Sequence, residues 1–186
     1  MWVLLGGARS GKSSLALRIA GATETPVTFL ATGEALDEEM AMRIAAHRAE
    51  RPATWSTVEV PIELEAALSA PGEADTLIVD CLTLWVSNLL GSGAGDEDVL
   101  RRAERAALIA ADRSGHTIVV SNEVGWGIVP DNPLARRFRD ILGRVNATFV
   151  RAAERSFLVV AGGAVDLLGP DDLVSALEAP ASRIRS

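Results

Sequence analysis

A glycine-rich segment that ends in lysine and serine is the clearest chemical signal in the sequence. It reads Gly6-Gly7-Ala8-Arg9-Ser10-Gly11-Lys12-Ser13, after an apolar run at 2–5 and before a helix-like stretch. Glycines let backbone N–H groups approach phosphate oxygens, and a helix start adds a positive dipole end. Lys12 is suited to bridging the β- and γ-phosphates, and Ser13 to binding Mg²⁺. The order strand, loop, helix favours this Walker A interpretation over a glycine-rich turn with a surface lysine.

An acidic residue at the end of another apolar run fits the same site. Residues 76–80 have the composition of a buried parallel strand, and Asp80 ends it. Strands that end in aspartate are common in α/β proteins, but the glycine-rich loop favours a Walker B role near the Mg²⁺ held by Ser13. Cys81 beside it is interpreted as a small buried residue rather than a nucleophile.

A histidine lies on a predicted helix that starts at about Asp37, as N-cap, and ends before Pro52. One side of this helix carries Leu36, Met40, Ile44 and His47, with Arg43 one turn before the histidine and Arg48 and Arg51 beyond it. Arginines beside a histidine are suited to phosphate groups, because they hold the oxygens and favour a neutral, nucleophilic imidazole. On spacing alone, a half-buried structural histidine is the favoured interpretation.

The remaining pattern predicts an α/β fold. Apolar runs at 27–31, 57–60, 117–121 and 156–161 read as strands, the last completing the sheet, and helix-like segments separate them. One helix is predicted to be capped by Asp96, with an inward stripe of Leu100, Ala103, Ala107 and Ala111. A long helix is predicted after Pro133, with an apolar stripe from Leu134 to Phe149. Its arginines at 136, 137, 139 and 144 could contact phosphates, a neighbouring subunit or solvent. The polar turn at 122–127 is predicted to be a substrate loop.

Length and composition narrow the class of protein. With 186 residues and 48% hydrophobic content, we expect one α/β domain over residues 1–186. The net charge of −7 disfavours a nucleic-acid partner, and a single cysteine excludes an intrachain disulfide framework. No apolar run approaches the ~20 residues of a membrane span, and because the predicted first strand begins at residue 2 we expect no signal peptide. We therefore expect a cytoplasmic protein that does not insert into membranes.

Taken together, these motifs resemble the bifunctional adenosylcobinamide kinase / adenosylcobinamide-phosphate guanylyltransferase family of cobalamin synthesis. The resemblance covers about residues 3–163. It is carried by the following segments: 6–13, Ala31-Thr32, Asp37-Glu38-Glu39-Met40, Arg43-Ile44 with His47, Arg51-Pro52, Trp55, Asn122-Glu123-Val124-Gly125, Ile128-Val129-Pro130, Leu134-Ala135-Arg136, Phe138-Arg139-Asp140 and Gly143-Arg144-Val145-Asn146.

The resemblance implies a RecA-like P-loop NTPase fold with a mostly parallel sheet, assembled as a homotrimer. The implied first reaction moves the γ-phosphoryl group of ATP or GTP to a hydroxyl of adenosylcobinamide. The second transfers GMP from GTP to that phosphate through a guanylylated histidine and releases pyrophosphate. His47 matches this histidine, so the resemblance makes it a nucleophile and reverses the structural interpretation.

The resemblance also implies roles for other residues. Lys12 would be catalytic together with His47, and Ser13 and Asp80 would bind the metal. Nucleotide contacts are implied for Gly6, Gly7, Ala8, Arg9, Ser10, Gly11, Lys12, Ser13, Thr32, Gly33, Glu34, Arg48, Ala49, Glu50, Arg51, Glu59 and Asp80. For the kinase step the sequence itself identifies no single base: Asp80 and Glu123 are both candidates, and a step dominated by positioning needs none. Residues 170–186 receive no function.

The sequence leaves two other functions open. A P-loop kinase of another small molecule would leave His47 structural. A nucleotide switch or a RecA-type ATPase acting on DNA would require a nucleic-acid surface, which the acidic balance disfavours.

Overall fold

A computed structural model describes residues 1–70, 72, 74–169 and 172–175. Its strands are β1 Trp2–Gly6, β2 Val27–Ala31, β3 Ser56–Glu59, β4 Thr76–Asp80, β5 Thr117–Asn122, β6 Arg155–Val160 and β7 Gly163–Asp166. Its helices are α1 Lys12–Gly21, α2 Glu38–Ala49, α3 Leu64–Ser69, α4 Leu82–Gly91, α5 Asp96–Asp112 and α6 Pro133–Ala152. The sequence also predicts a turn at Pro71-Gly72. Pro71 and most of the segment 170–186 lie outside the described residues.

The strands form one seven-stranded sheet in the order β3-β2-β4-β5-β1-β6-β7. All neighbouring strands are parallel except β6 and β7, which pair antiparallel. In a parallel sheet the carboxyl ends of the strands share one edge. The glycine-rich loop after β1 therefore lies at the same edge as Asp80 at the end of β4 and Asn122 at the end of β5. The mostly parallel α/β architecture predicted from the sequence is confirmed.

Helices cover both faces of the sheet. On one face Ala16 and Ala20 of α1 belong to a buried cluster with Leu4, Ile78 and Ile118 of the strands. On the other face α3, α4, α5 and α6 form a larger buried cluster. Burial on both faces explains why the central strands read as continuous apolar runs instead of alternating patterns. None of the described helices combines the length and the hydropathy of a membrane span.

Several details of the sequence prediction were wrong. The sheet does not end at β6, because the exposed hairpin strand β7 extends it. Helix α5 is preceded by Gly95 with no side-chain cap, and Asp96 instead pairs with Arg137 at 2.6 Å. The buried stripe of α5 is Val99, Ala103, Ala106, Ala107 and Ala110, which is shifted from the predicted one. On α6, Leu134 is 61% exposed and does not join the buried stripe, which begins at Ile141.

Arg102 of α5 ties two helices and a loop together. Its guanidinium donates to both carboxylate oxygens of Glu65 in α3, at 2.9 and 2.8 Å, and to the carbonyl of Ile62 at 2.8 Å. The side chains of Arg102 and Glu65 are only 14% and 13% exposed. A planar bidentate ion pair with so little exposure to solvent fixes α5 against α3.

We expect Arg102→Ala to lower the free energy of unfolding by about 1–3 kcal/mol, because Glu65 and the Ile62 carbonyl lose their partner. Chemical denaturation measures this change. Arg101→Ala is the matched control: Arg101 pairs with Asp98 one turn away on the exposed side of the same helix, so its loss should change stability by less than about 0.5 kcal/mol. Equal effects of the two variants would contradict this role of Arg102.

Candidate active site

The loop between β1 and α1 requires glycine at two positions. Gly6 has φ +153°, and a Cβ there would lie 2.3 Å from the carbonyl oxygen of Val159. Gly11 has φ +98° and forms the N-cap of α1 without a side-chain bond. A side chain at Gly6 would collide with backbone, and one at Gly11 would be strained. The chain can thus pass directly from a buried strand into a helix whose first N–H groups point into open space.

Lys12 is folded back onto this loop. Its Nζ donates to the carbonyl of Gly7 at 2.7 Å and to Oγ of Ser10 at 3.3 Å, and only 6% of the residue is exposed. Burial lowers the pKa of Lys12, and nearby Cys81 and Asp80 partly oppose this shift. A buried ammonium group with few acceptors is well placed to gain from an incoming phosphate.

Asp80 lies opposite the start of α1. Burial raises the pKa of its carboxyl group, while a hydrogen bond from Ser13 and the charges of His47, Arg51 and Lys12 oppose the shift. The predicted proximity of Asp80 and Ser13 is therefore present in the structure. Burial and the Asp80 charge raise the pKa of Cys81 to about 11, so its thiol stays protonated, in line with its interpretation as a small buried residue.

Thr32 fixes the backbone that carries Asp80. Its hydroxyl donates to the carbonyl of Cys81 and accepts from the Cys81 N–H, both at 2.7 Å. Its own N–H donates to the carbonyl of Asp80 at 3.1 Å, and the residue is fully buried. The structure thus gives the Thr32 side chain a positioning role behind the site.

Helix α2 forms the wall opposite the glycine-rich loop. Its N-cap is Asp37, whose carboxylate accepts from the N–H of Met40 at 2.7 Å, as predicted. None of its residues is buried. Ile44 and His47 are half-buried and line the cavity with Arg43 and Arg48, which brings imidazole and guanidinium groups to the phosphate-binding loop.

Arg51, just beyond α2, is held by an aromatic ring. Its Cζ lies 3.4 Å from the centre of the Phe29 ring, and its Nη1 donates to Oγ1 of Thr57 at 3.3 Å. Its Nε is buried and has no hydrogen-bond partner among the described residues. Burial lowers the pKa of Arg51, with Asp80 opposing the shift. Stacking on Phe29 orients a guanidinium group that still has a donor to offer.

These parts enclose one cavity of about 430 Å³ at the carboxyl edge of the sheet. It brings together most of the predicted site residues: Ala8, Arg9, Ser10, Gly11, Lys12, Ser13, Gly33, His47, Arg48, Arg51, Glu59 and Asp80. Six predicted residues do not line it. Gly6, Gly7 and Thr32 belong to its supporting backbone, and Glu34, Ala49 and Glu50 are exposed outside it.

The cavity wall also includes residues that the sequence did not assign to it. Among them are Ser14, Ala31, Thr57, Leu84 and Asn122. Thr57 could not be found from spacing, because only the order of the strands brings β3 to this edge. Leu84 lies in α4 and packs close to Gly33, a contact that local spacing does not encode. The signal for Asn122 was its position at the end of a predicted strand.

The residues present fit a magnesium ion better than a metal held by protein alone. Among the described residues no group of three or more His, Cys, Asp and Glu side chains could hold a metal ion. Mg²⁺ commonly takes only one or two protein ligands and completes its shell with phosphate oxygens and water. Ser13 and Asp80, beside a phosphate-binding loop, supply such a set.

The sheet and its glycine-rich loop define a P-loop nucleotide-binding protein of the α/β class. A solved structure from Pyrococcus horikoshii OT3 has a similar fold, with a TM-score of 0.56 and 8% identity over 92% of this chain and 88% of that one. Residues 2–167 match the model of the cobinamide kinase / cobinamide phosphate guanyltransferase family. The chain belongs to this family, which confirms the resemblance found in the sequence.

Curated relatives agree with the family match. The chain is 45% identical over 170 residues to the bifunctional adenosylcobalamin biosynthesis protein CobP of Pseudomonas aeruginosa, covering 90% of this chain and 96% of the relative. It is 42% identical over 176 residues to the bifunctional adenosylcobalamin biosynthesis protein CobU of Salmonella typhimurium, covering 87% and 96%. The match spans almost the whole length of each relative.

We expect Asp80→Asn to raise the free energy of unfolding of the ligand-free protein at neutral pH by on the order of 1 kcal/mol. Folding raises the pKa of Asp80 above its ordinary value of 3.8. At pH values above the raised pKa the ionised carboxylate therefore lowers the free energy of unfolding, and at pH values below 3.8 it has no such effect. The gain should therefore shrink on acidification, as measured by denaturation at several pH values. Asp140→Asn, at an exposed carboxylate, is the control. A gain that does not depend on pH would contradict the expectation.

Proposed function

We propose that this protein phosphorylates adenosylcobinamide with ATP or GTP and then transfers GMP from GTP to adenosylcobinamide phosphate. Membership of the family and the names of its relatives support both reactions. Lys12, Asp80 and His47 line the same cavity, and this observation is what assigns the two reactions to particular residues. Phosphate-binding groups and a candidate nucleophile face the same space, as the two reactions together require.

In the kinase reaction, the glycine-rich loop would hold the triphosphate. Lys12 would exchange its bonds to Gly7 and Ser10 for phosphate oxygens. Ser13 and Asp80 would hold Mg²⁺, which when bound would neutralise charge on the phosphate oxygens. Arg51, with its free buried Nε, would add a donor from the opposite wall. The same wall supports nucleotide contacts by Arg48 and Glu59.

In guanylyl transfer, His47 would be the nucleophile. An imidazole nitrogen of His47 attacks the α-phosphorus of GTP, a P–N bond forms, and the α–β bridging P–O bond breaks. Pyrophosphate leaves with the electron pair, and the second imidazole nitrogen releases its proton to solvent. The second imidazole nitrogen then takes a proton back from solvent, an oxygen of adenosylcobinamide phosphate attacks the same phosphorus, and neutral imidazole leaves as the P–N bond breaks. Arg43 and Arg48 flank His47 and offset the negative charge that both steps gather.

We expect wild-type protein incubated with Mg²⁺ and GTP labelled at the α-phosphate to retain label after denaturation, and His47→Ala to retain none. The label should be acid-labile and base-stable, as a phosphoramidate is. The matched control is His116→Ala, which changes the other histidine of the chain. His116 lies at the opposite edge of the sheet, before β5, so its loss should leave labelling intact.

Either of two results would contradict the histidine mechanism. One is label that persists in the His47→Ala variant. The other is wild-type protein that binds GTP and transfers a γ-phosphoryl group, yet retains no label. The second result would favour a kinase that acts without a covalent intermediate.

We further propose that the protein is a cytoplasmic homotrimer. The family resemblance supports the trimer, and the segment after β5 supplies apolar surface, with Trp126 74% and Ile128 96% exposed. We expect sedimentation velocity to give one species near three times the chain mass of 19.6 kDa. A species at the mass of a single chain would contradict this assembly.

A further inference from the structure

Asn122 ends the strand that lies between the two phosphate-site elements. β5 is flanked by β4, which ends in Asp80, and by β1, which leads into the glycine-rich loop. In the register of the sheet, Asp80 pairs with Val120 and Gly6 pairs with Asn122. Side chains two residues apart on a strand point to the same face. Val120 packs in the cluster on the α1 face, so Asn122 faces α1 as well, and it lines the cavity.

The backbone of Asn122 is held by side chains from two helices on the other face of the sheet. Its N–H donates to Oγ1 of Thr83 in α4 at 2.8 Å. Its carbonyl accepts from Nδ2 of Asn146 in α6 at 3.0 Å. The hydroxyl of Ser121 donates to Oδ1 of Asn146 at 2.7 Å and lies 3.4 Å from Oγ1 of Thr83. These four residues form a closed polar network, which we call the β5 network.

The β5 network lies inside an otherwise apolar core. Thr83, Ser121 and Asn146 are 8%, 0% and 4% exposed, and their surroundings include Leu82, Val86, Leu142 and Val145. Polar groups are costly in such a place unless all are paired, and a fully paired set fixes one geometry. Of the four members, only Asn122 lines the cavity. Its own amide side chain has no hydrogen bond to another described residue, so both its donor and its acceptor are available there.

We propose that Asn122 is a catalytic residue of the phosphoryl-transfer step and that Asn146 positions it; this inference rests on the function proposed above. Nδ2 of Asn122 donates to an oxygen of the γ-phosphoryl group, opposite Lys12. Oδ1 accepts from the attacking hydroxyl and directs its lone pair toward phosphorus. A neutral amide can do both without competing for the metal or adding negative charge beside Asp80.

The step balances without any further reactant. The hydroxyl oxygen of the acceptor forms a bond to the γ-phosphorus, and the bond from that phosphorus to the β–γ bridging oxygen breaks. The nucleoside diphosphate leaves with the electron pair. The hydroxyl proton passes to a phosphoryl oxygen and then to water, so Asn122 orients the groups and takes up no proton.

The two reactions of the protein distinguish this role from a general effect on nucleotide binding. In phosphoryl transfer the γ-phosphorus reacts, whereas in guanylylation of His47 the α-phosphorus reacts and the γ-phosphate leaves unchanged within pyrophosphate. We expect Asn122→Ala to lower kcat for phosphorylation of adenosylcobinamide about 10–100-fold. The single-turnover rate of His47 labelling by GTP should change less than about 3-fold. Asn122 borders the cavity, so this variant leaves the core intact.

A double-mutant cycle tests the positioning role of Asn146. We expect Asn146→Ala to lower the kinase kcat with little change in KM, and to have no further effect on kcat once Asn122 is alanine. A merely structural role would make the two effects on kcat multiply. Thr76→Val is the matched control. Like Asn146, Thr76 is buried and hydrogen-bonded, in its case to Thr25 at 2.7 Å, but it starts β4 at the edge of the sheet away from the cavity. It should lower stability without changing the ratio of kinase to labelling rates.

The outcomes separate the two proposals. If Asn122→Ala leaves the ratio of the two rates within about 3-fold of wild type, the role of Asn122 is overturned while the proposed function stands. A parallel fall of both rates would overturn that role in the same way. If wild-type protein phosphorylates no adenosylcobinamide, the proposed function itself fails. If Asn146→Ala does not fold, the Asn122 arm still decides the catalytic role.

Discussion

The parallel register of β4, β5 and β1 is the constraint on which the site depends. Because these strands run in one direction side by side, their carboxyl ends deliver a carboxylate, an amide and a phosphate-binding loop to one edge. A slip of one residue in β5 would turn Asn122 to the opposite face and place the polar side chain of Ser121 among the apolar residues that face α1. The apolar core on both faces therefore stabilises the fold and also sets the positions of the reacting groups.

The charges at this edge are held in a state that a ligand would relieve. Burial lowers the pKa of Lys12 and raises that of Asp80, which means that the charged form of each group is less stable here than in water. Their mutual attraction offsets this only in part. A triphosphate would give Lys12 a partner, and a metal ion would do the same for Asp80. The stability of the core thus compensates for a local arrangement of charges that destabilises the ligand-free protein but favours ligand binding.

The sequence predicted the parts of the site that depend on local pattern. The glycine-rich loop and Asp80 are recognisable because each occupies a fixed place relative to one strand. Spacing favoured a structural role for His47, and family resemblance gave it a catalytic role that stays a prediction. The positions of Thr57 and Thr32 depend on which strands are neighbours, which local periodicity does not encode. Strand β7 was missed because all four of its residues are exposed, so no buried pattern marks it.

The two walls of the cavity are built differently, and the difference suits the two reactions proposed for it. Helix α2, which carries His47, has no buried residue and rests on the half-buried Met40 and Ile44. Asn122, by contrast, is held from two helices by the buried β5 network. In-line phosphoryl transfer depends on positioning, so a rigid wall beside the γ-phosphate is an advantage. A histidine that accepts a guanylyl group and then presents it to a second substrate benefits from a less deeply packed support. Rigidity on one side and light packing on the other are therefore what the two proposed steps would require of a shared cavity.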